Sequence, residues 1–274
     1  MPRIFDFGGR DVERSQTVAG LRILKGSGKH AAQVTAETAD EAAAAEAAGI
    51  EMVVCRAMNV ARVREGSKKV FVTAALGFAD AITADEILKT AFGAITAGAD
   101  AVLTGRGYDA VRMLANEEIP VMGHLGFVPR KSTWVGGVRA VGKTSVEALA
   151  LWDRFRRLED AGAFAVECEI IPGAVMAEIN KRTGLVTVSL GSGSNAEVMF
   201  LFTSDICGEV ARVPRHARAW GDMATLHQAV RDERVRALSG FRSAVRSGEF
   251  PGGREIAEVP NEELVAFRKE LDEK

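Results

Sequence analysis

The chain has 274 residues, of which 47% are hydrophobic and 26% are charged, and its 35 basic residues nearly balance 37 acidic ones. This length suits one large α/β domain or two small ones, and the near-neutral charge argues against proteins that coat nucleic acid or bind membranes through a polybasic surface. No apolar run reaches the roughly 18 to 20 residues that span a bilayer, and residues 1–10 do not resemble a secretory signal, so we expect a cytoplasmic protein.

Short apolar segments alternate along the chain with Ala-rich helical segments that end at glycines. Thr83-Ala-Asp-Glu86 predicts the capping box of a helix that ends near Gly98, and further helices are predicted over residues 40–48 and 145–161. Strands that are apolar throughout are typical of parallel sheets buried on both faces. Eight are predicted, over residues 32–35, 51–55, 70–74, 100–104, 120–123, 164–169, 185–190 and 198–202.

Eight parallel strands that alternate with helices predict a single-domain (β/α)8 TIM barrel of the α/β class, with an open doubly wound sheet as the alternative. We expect residues 1–16 to form a polar leader, residues 17–251 the barrel, and residues 252–274 a tail helix. In such barrels the chemistry lies at the C-terminal ends of the strands. The polar residues predicted there are Glu37, Arg56, Arg106, His124, Glu169, Ser192 and Asp205.

One segment matches a nucleotide-binding pattern that its surroundings argue against. Residues 137–144 fit GxxxxGK[ST], the phosphate-binding loop, which requires a buried strand directly before it and a helix directly after it. The preceding residues 129–135 are polar and begin with proline. We therefore predict no nucleotide site here.

A set of motifs occurs in an order that resembles the ketopantoate hydroxymethyltransferase family from about Thr17 to Pro251. The matching stretches are residues 17–25, 121–126 with Pro129, 136–144, 159–165, Glu169 with Pro172, and 245–251. The resemblance implies a (β/α)8 barrel of the phosphoenolpyruvate mutase and isocitrate lyase type, in a homo-oligomer. It also implies deprotonation of a 2-oxo acid, an enolate held on Mg2+, and a one-carbon unit taken from 5,10-methylenetetrahydrofolate. By position, His124 matches the substrate-contacting histidine of this family and Glu169 its general base.

Three motifs depart from the family pattern, and each departure removes an acidic residue. They are residues 55–59, Cys-Arg-Ala-Met-Asn, residues 74–78, Ala-Ala-Leu-Gly-Phe, and residues 103–107, Leu-Thr-Gly-Arg-Gly. Mg2+ requires oxygen ligands, so the loss of three carboxylates argues against a metal in this pocket. Arg56 and Arg106 occur close to two of the lost acids. A guanidinium group binds a carboxylate in bidentate fashion and stabilises an enolate oxygen, so we expect these arginines to replace the cation.

The sequence thus predicts an enzyme that makes or breaks a C–C bond on a small 2-oxo or hydroxy acid without a metal. Glu169 is the expected base, and the expected substrate-binding residues are His124, Arg106, Arg56 and Ser192. Two alternatives remain open. One is an authentic 3-methyl-2-oxobutanoate hydroxymethyltransferase of pantothenate synthesis, and the other is a non-catalytic barrel that binds a ligand or serves in an assembly.

Overall fold

The computed structural model describes residues 3–77 and 79–273. Four residues lie outside the described ones. They are Phe78, the last residue of the 74–78 motif, residues 1 and 2 of the predicted leader, and residue 274 of the predicted tail. Contacts divide the chain into two compact units, Met1–Gly221 and Asp222–Lys274. The sequence-based division placed the end of the barrel later, at residue 251.

The first unit contains a closed barrel of eight parallel strands. A two-stranded hairpin precedes it, formed by β1 (Ile4–Phe5) and β2 (Asp11–Val12). The barrel strands follow one another in chain order, and the last pairs with the first, with Val198 opposite Ala31. They are β3 (Ala31–Thr35), β4 (Met52–Arg56), β5 (Phe71–Ala75), β6 (Ala101–Leu103), β7 (Val121–Gly126), β8 (Ala165–Glu169), β9 (Val186–Leu190) and β10 (Val198–Leu201). The predicted (β/α)8 barrel is confirmed, and each of its strands overlaps a predicted one.

Helices connect the strands and cover the outside of the barrel. The capping box predicted at Thr83 is present, because its hydroxyl accepts from the Glu86 N–H while the Glu86 carboxylate accepts from the Thr83 N–H. The helices of the first unit are α1 (Val18–Leu24), α2 (Ala39–Ala47), α3 (Val60–Gly66), α4 (Ala84–Thr96), α5 (Tyr108–Asn116), α6 (Ser132–Val135), α7 (Ser145–Asp160), α8 (Gly173–Asn180) and α9 (Thr203–Ile206). The second unit contains α10 (Met223–Ser247) and α11 (Asn261–Asp272). In the part of the chain that the structure describes, no helix is long and apolar enough to cross a membrane.

The N-terminal end of the barrel is apolar and closed. Leu21 of α1 is fully buried in the interior cluster that also contains Phe71 and Phe164. Outside this end, Asp100 joins the leader to the barrel, since Arg14 and Arg64 each donate to its carboxylate at 2.6 Å. Polar side chains of the barrel interior therefore concentrate toward the opposite, C-terminal end.

The segment that matches the phosphate-binding pattern has a different structure from a phosphate loop. A four-residue helix, α6, precedes it where a strand is required. The Glu147 carboxylate binds the Arg139 guanidinium and accepts the N–H groups of Gly142 and Lys143. The Arg139 contact, followed by these N–H groups, lowers the pKa of Glu147 to about 2. The N–H groups that would face a phosphate are thus occupied by a carboxylate of the same chain.

Candidate active site

The centre of the site is a hydrogen-bonded pair on two neighbouring strands. His124 lies in β7, and Glu169 is the last residue of β8. His124 Nε2 lies 3.0 Å from Glu169 Oε2 and 3.2 Å from the Phe127 carbonyl oxygen. Both neighbours are acceptors, so Nε2 carries a proton. The two side chains are each 12% exposed, and the contact engages only one of the two Glu169 carboxylate oxygens.

The backbone around Glu169 is held in an unusual conformation. Gly126 has φ of 89°, and a Cβ at this position would lie 2.2 Å from the Glu169 carbonyl oxygen. That oxygen accepts the Phe127 N–H at 2.7 Å. Ile170 has φ of 50°, a left-handed conformation that a β-branched residue rarely adopts. Backbone strain of this kind persists where the surrounding structure fixes it, and functional sites are common locations. Glu169 is therefore held between two constrained residues.

Glu167 is a candidate functional residue that the sequence analysis missed. It is 4% exposed and lies two residues before Glu169 on the same strand, so both carboxylates point into the barrel. Gln33 Nε2 donates to Glu167 Oε1 at 3.2 Å, and His124 Nδ1 lies 4.0 Å from Glu167 Oε2. Burial raises the pKa of Glu167 to about 7. The sequence did carry a signal, because Glu-Cys-Glu at the end of an otherwise apolar strand places two acids on one face.

His124 thus lies between two carboxylates, and its protonation reflects both. Burial lowers the pKa of His124, but the hydrogen bond to Glu169 and the negative charges of Glu167 and Glu169 outweigh that effect and raise it. The imidazole is therefore cationic over a wider pH range than a free histidine. His124 and the two carboxylates thus form one cluster of ionisable groups at the C-terminal end of the barrel.

The structure separates the two predicted arginines. Arg106 lines a cavity of about 110 Å3 together with His124, and its guanidinium donates to the carbonyls of Ala81 and Ile82. Arg56 is 63% exposed, and its Nε lies 3.6 Å from Glu37 Oε1. The N–H of Arg56 also donates to the Glu37 carboxylate. Arg106 and His124 are therefore brought together, whereas Arg56 is paired with Glu37 at the rim.

Ser192, predicted to bind substrate, is fully buried. Its hydroxyl accepts the Ile171 N–H at 2.9 Å and donates to the Cys168 carbonyl at 2.6 Å. These two bonds connect the end of β8 to the turn after β9. The hydroxyl of Ser192 is thus engaged by the main chain on both sides, and its contact with substrate stays a prediction.

The donor groups at the C-terminal end do not fit the Mg2+ that the family implies. Among residues 3–77 and 79–273, no three His, Cys, Asp or Glu side chains are grouped so as to hold a metal ion. Glu37 is engaged by Arg56 and by Asn59 Nδ2, which donates at 2.6 Å, and His124 engages one oxygen of Glu169. Mg2+ requires near-octahedral oxygen coordination, for which this set supplies too few free carboxylates.

Comparisons with known proteins agree with the sequence motifs and the fold. A family model described as ketopantoate hydroxymethyltransferase matches residues 55–253. A 3-methyl-2-oxobutanoate hydroxymethyltransferase of Pyrobaculum islandicum is 34% identical over 170 residues, which cover 61% of this chain and 62% of that protein. The chain thus spans a little under two thirds of the length of this relative. An enzyme of the same name from Ignicoccus hospitalis is 33% identical over 198 residues, covering 71% of this chain and 73% of that protein.

A solved structure supports the fold independently. Phosphonopyruvate hydrolase, crystallised with oxalate and Mg2+, superposes with a TM-score of 0.52 at 13% identity, covering 88% of this chain and 93% of that one. At this identity the likeness shows the barrel architecture alone. The family model extends over more than half of the chain, and its range includes His124, Glu167 and Glu169. The chain therefore belongs to the ketopantoate hydroxymethyltransferase family.

Proposed function

We propose that this chain deprotonates a small 2-oxo or hydroxy acid to its enolate and makes or breaks a C–C bond at the carbon that loses the proton. The hydrogen bond between His124 and Glu169, at the C-terminal ends of adjacent barrel strands, is the observation that carries the proposal. Family membership supports an enzyme of the hydroxymethyltransferase or lyase kind. The one-carbon donor implied by the family, 5,10-methylenetetrahydrofolate, would be the second substrate.

Glu169 serves as the base in this proposal. Its Oε2 is held by His124, which leaves Oε1 to accept the proton from C3 of a 2-oxo acid. The electrons of the broken C–H bond move toward the C2 oxygen and form the enolate. C3 of the enolate then bonds to the methylene carbon of the folate, the bond from that carbon to the folate nitrogen breaks as the nitrogen takes up a proton, and water supplies the hydroxyl oxygen. Cleavage follows the same steps in reverse. Glu167 acts as a positioning residue, because its carboxyl group faces the second nitrogen of the His124 ring.

Positive charge for the enolate comes from the protein in this proposal. Arg106 and His124 line one cavity, and His124 has a raised pKa. A guanidinium group matches the substrate carboxylate, while an imidazolium beside the base stabilises charge that develops on the C2 oxygen. The donor set that does not fit Mg2+ supports this reading. Arg56 contributes less, because its charge is paired with Glu37 near solvent.

A second candidate is the reaction named in the relatives, the hydroxymethylation of 3-methyl-2-oxobutanoate. Identities of 33% and 34% over more than half of this chain favour it. The two candidates share the enolate step, so they differ in substrate and in metal requirement. One experiment on the shared step separates them.

The test follows hydrogen–deuterium exchange at C3 of 3-methyl-2-oxobutanoate by proton NMR in D2O, with EDTA and with Mg2+. We expect exchange in the presence of EDTA, and we expect Glu169→Gln to slow it by about 10²- to 10⁴-fold, the usual contribution of a general base. Glu37→Gln is the matched control, since Glu37 is also a strand-end glutamate but contacts Arg56. It should keep the wild-type rate within about threefold.

Each other outcome contradicts a defined part of the proposal. Exchange that requires Mg2+ would overturn the metal-independent mechanism and favour the second candidate. Equal loss in Glu169→Gln and Glu37→Gln would overturn the assignment of the base. Absence of exchange with 3-methyl-2-oxobutanoate and with other small 2-oxo acids would favour a barrel without catalytic activity.

A further inference from the structure

The second unit, Asp222–Lys274, contains two helices but no core of its own. None of residues 222–273 is buried. Of the 23 large apolar side chains that are exposed in the described residues, twelve belong to this unit. Proteins that stay monomeric rarely leave large apolar patches in water, so a surface of this kind is typical of an interaction site.

The apolar side chains of α10 follow one side of the helix. Leu226, Val230, Phe241 and Val245 occur at i, i+4, i+15 and i+19, positions that a helix of 3.6 residues per turn brings to one side. All four side chains are exposed. These four residues are called the α10 stripe below. Phe250, which follows the helix, packs against Phe241 with the ring centroids 5.3 Å apart, so it extends this apolar surface.

α11 carries a second, shorter apolar surface. Leu264, Phe267 and Leu271 occur at i, i+3 and i+7 and form the α11 stripe. The side chains of Phe267 and Leu271 are more than half exposed. The family model ends at residue 253, before α11 begins. Family membership therefore does not account for this helix.

The two helices have opposite net charge. α10 contains five arginines and two acidic residues, whereas α11 contains four acidic and two basic residues. The helical repeat places Arg234 within the side of α10 that carries its stripe, and it places Glu263 and Glu270 beside the α11 stripe. Within α10, Glu233 already pairs with Arg236 at 2.6 Å. α11 therefore supplies carboxylates that match Arg234 on the apolar side of α10.

We propose that the second unit pairs with the second unit of another copy of this chain, and that α11 of each copy covers the α10 stripe of the other. The two helices of one chain leave both stripes exposed. A chain that carries two complementary surfaces forms a closed, two-fold pair in which each contact occurs twice. Two copies supply four helices, an arrangement that commonly packs around a shared core. The inference goes beyond the proposed function, because it involves no residue of the barrel.

Size-exclusion chromatography with light scattering measures the molar mass of the full chain and tests this surface. Phe241→Glu and Leu271→Glu each place a charge within one stripe, so we expect the molar mass to fall to about half of the wild-type value or less. Val235→Glu is the matched control, because Val235 is also an exposed residue of α10 but is turned away from the stripe. It should keep the wild-type mass. Far-UV circular dichroism of all variants checks that the fold is retained.

Reversal of charge distinguishes α11 of another copy from α11 of the same chain. Arg234→Glu and Glu263→Arg should each weaken association by roughly tenfold or more, because like charges then face each other. An equal mixture of the two variants should recover the wild-type mass, since the altered α10 of one chain meets the altered α11 of the other. Pairing within one chain would not recover on mixing.

The remaining outcomes contradict the proposal. A monomeric wild type would overturn the pairing, and so would an unchanged mass in Phe241→Glu and Leu271→Glu. An equal fall in Val235→Glu would overturn the assignment of the surface. Failure of the mixture to recover the wild-type mass would overturn the exchange of α11 between copies. None of these outcomes depends on C3 exchange, so failure of this inference is distinguishable from failure of the proposed function.

Discussion

His124 adjoins two regions of opposite charge. In the barrel, Glu167 and Glu169 face His124 from the neighbouring strand, and both are largely buried. In the cavity that His124 also lines, Arg106 and Arg154 are among the basic residues of the lining, and no acidic side chain is among the lining residues that the structure describes. The first region is built from regular strand positions, and the second from loops and one helix face.

The difference shows how a nearly neutral chain separates its charges. The acids are fixed by the two-residue repeat of β8, which places alternate side chains inside the barrel, and burial then adjusts their affinity for protons. The positions of the basic side chains depend on the connections after β6 and β7, where the backbone is irregular. These side chains attract negatively charged groups at short range. In the proposed mechanism, Glu169 of the rigid region transfers the proton, and Arg106 of the second region binds the substrate carboxylate.

The strongest test of the buried region uses the pH dependence of stability. The folded pKa of Glu167, about 7, lies above its ordinary value of 4.5, so the folded state binds the extra proton between these pH values. The free energy of unfolding should therefore fall as pH rises from 4.5 to 7, by about 3 kcal/mol. Glu167→Gln keeps a neutral side chain beside Gln33 and should remove most of this fall. Urea unfolding at pH 5, 6, 7 and 8 measures the slope.

The raised pKa of His124 changes stability in the same direction as that of Glu167, because the folded state again binds an extra proton. The free energy of unfolding therefore falls as pH rises through the pKa of His124 in the folded state. This second decline should be smaller in Glu167→Gln, which loses the Glu167 charge, but the hydrogen bond to Glu169 should keep part of it. Glu178→Gln is the control: Lys181 and Arg182 lower the pKa of this exposed carboxylate, so it titrates below the range measured. Identical slopes in the wild type and Glu167→Gln would contradict the buried, proton-holding role.

A smaller loss of stability is expected on substitution of Ser192. This variant tests whether the hydroxyl has a structural role or contacts the substrate. Ser192→Ala leaves the Ile171 N–H and the Cys168 carbonyl without their partner. We expect a loss of about 1 to 3 kcal/mol in the free energy of unfolding, with KM changed by less than about threefold. Chemical denaturation and steady-state kinetics give the two values. A large rise in KM at unchanged stability would support the predicted substrate contact of Ser192 instead.

The smallest effect is expected at the exposed rim. Arg56→Gln removes a side chain that is 63% exposed and lies 3.6 Å from its carboxylate partner. Exposed pairs of this kind contribute less than about 1 kcal/mol, so we expect a change in stability below about 0.5 kcal/mol and a fall in kcat/KM below about threefold. A fall above tenfold would show that Arg56 turns toward the substrate and that the two predicted arginines act together.

The sequence was sufficient to predict the barrel because the composition of its strand segments is distinctive. Runs such as residues 52–55 and 185–190 are mostly apolar and β-branched and follow a glycine closely, which is typical of buried parallel strands. The proximity of His124 and Glu169 could also be predicted, since they lie in neighbouring strands whose C-terminal ends share one edge of the barrel.

Other parts of the site depended on information that the sequence does not display. Arg56 and Arg106 both follow strand ends, yet one turns to Glu37 and the other to the carbonyls of Ala81 and Ile82, because loop geometry sets the direction of a side chain. Glu167 was missed since its importance comes from burial beside Gln33 and His124. The cationic cavity joins residues from segments that are far apart along the chain.

The closure of the barrel has a consequence for how the chain is made. Most barrel strands pair with the next strand in sequence, but β10 pairs with β3, and this contact waits until nearly the whole first unit has been synthesised. Until then β3 and β9 are open edges, which invite pairing with other chains. β7 and β8 are sequence neighbours, so the strands that carry His124 and Glu169 can associate early. Slow closure of the barrel would therefore favour aggregation through the open edges of β3 and β9. It would affect the pairing of His124 with Glu169 less.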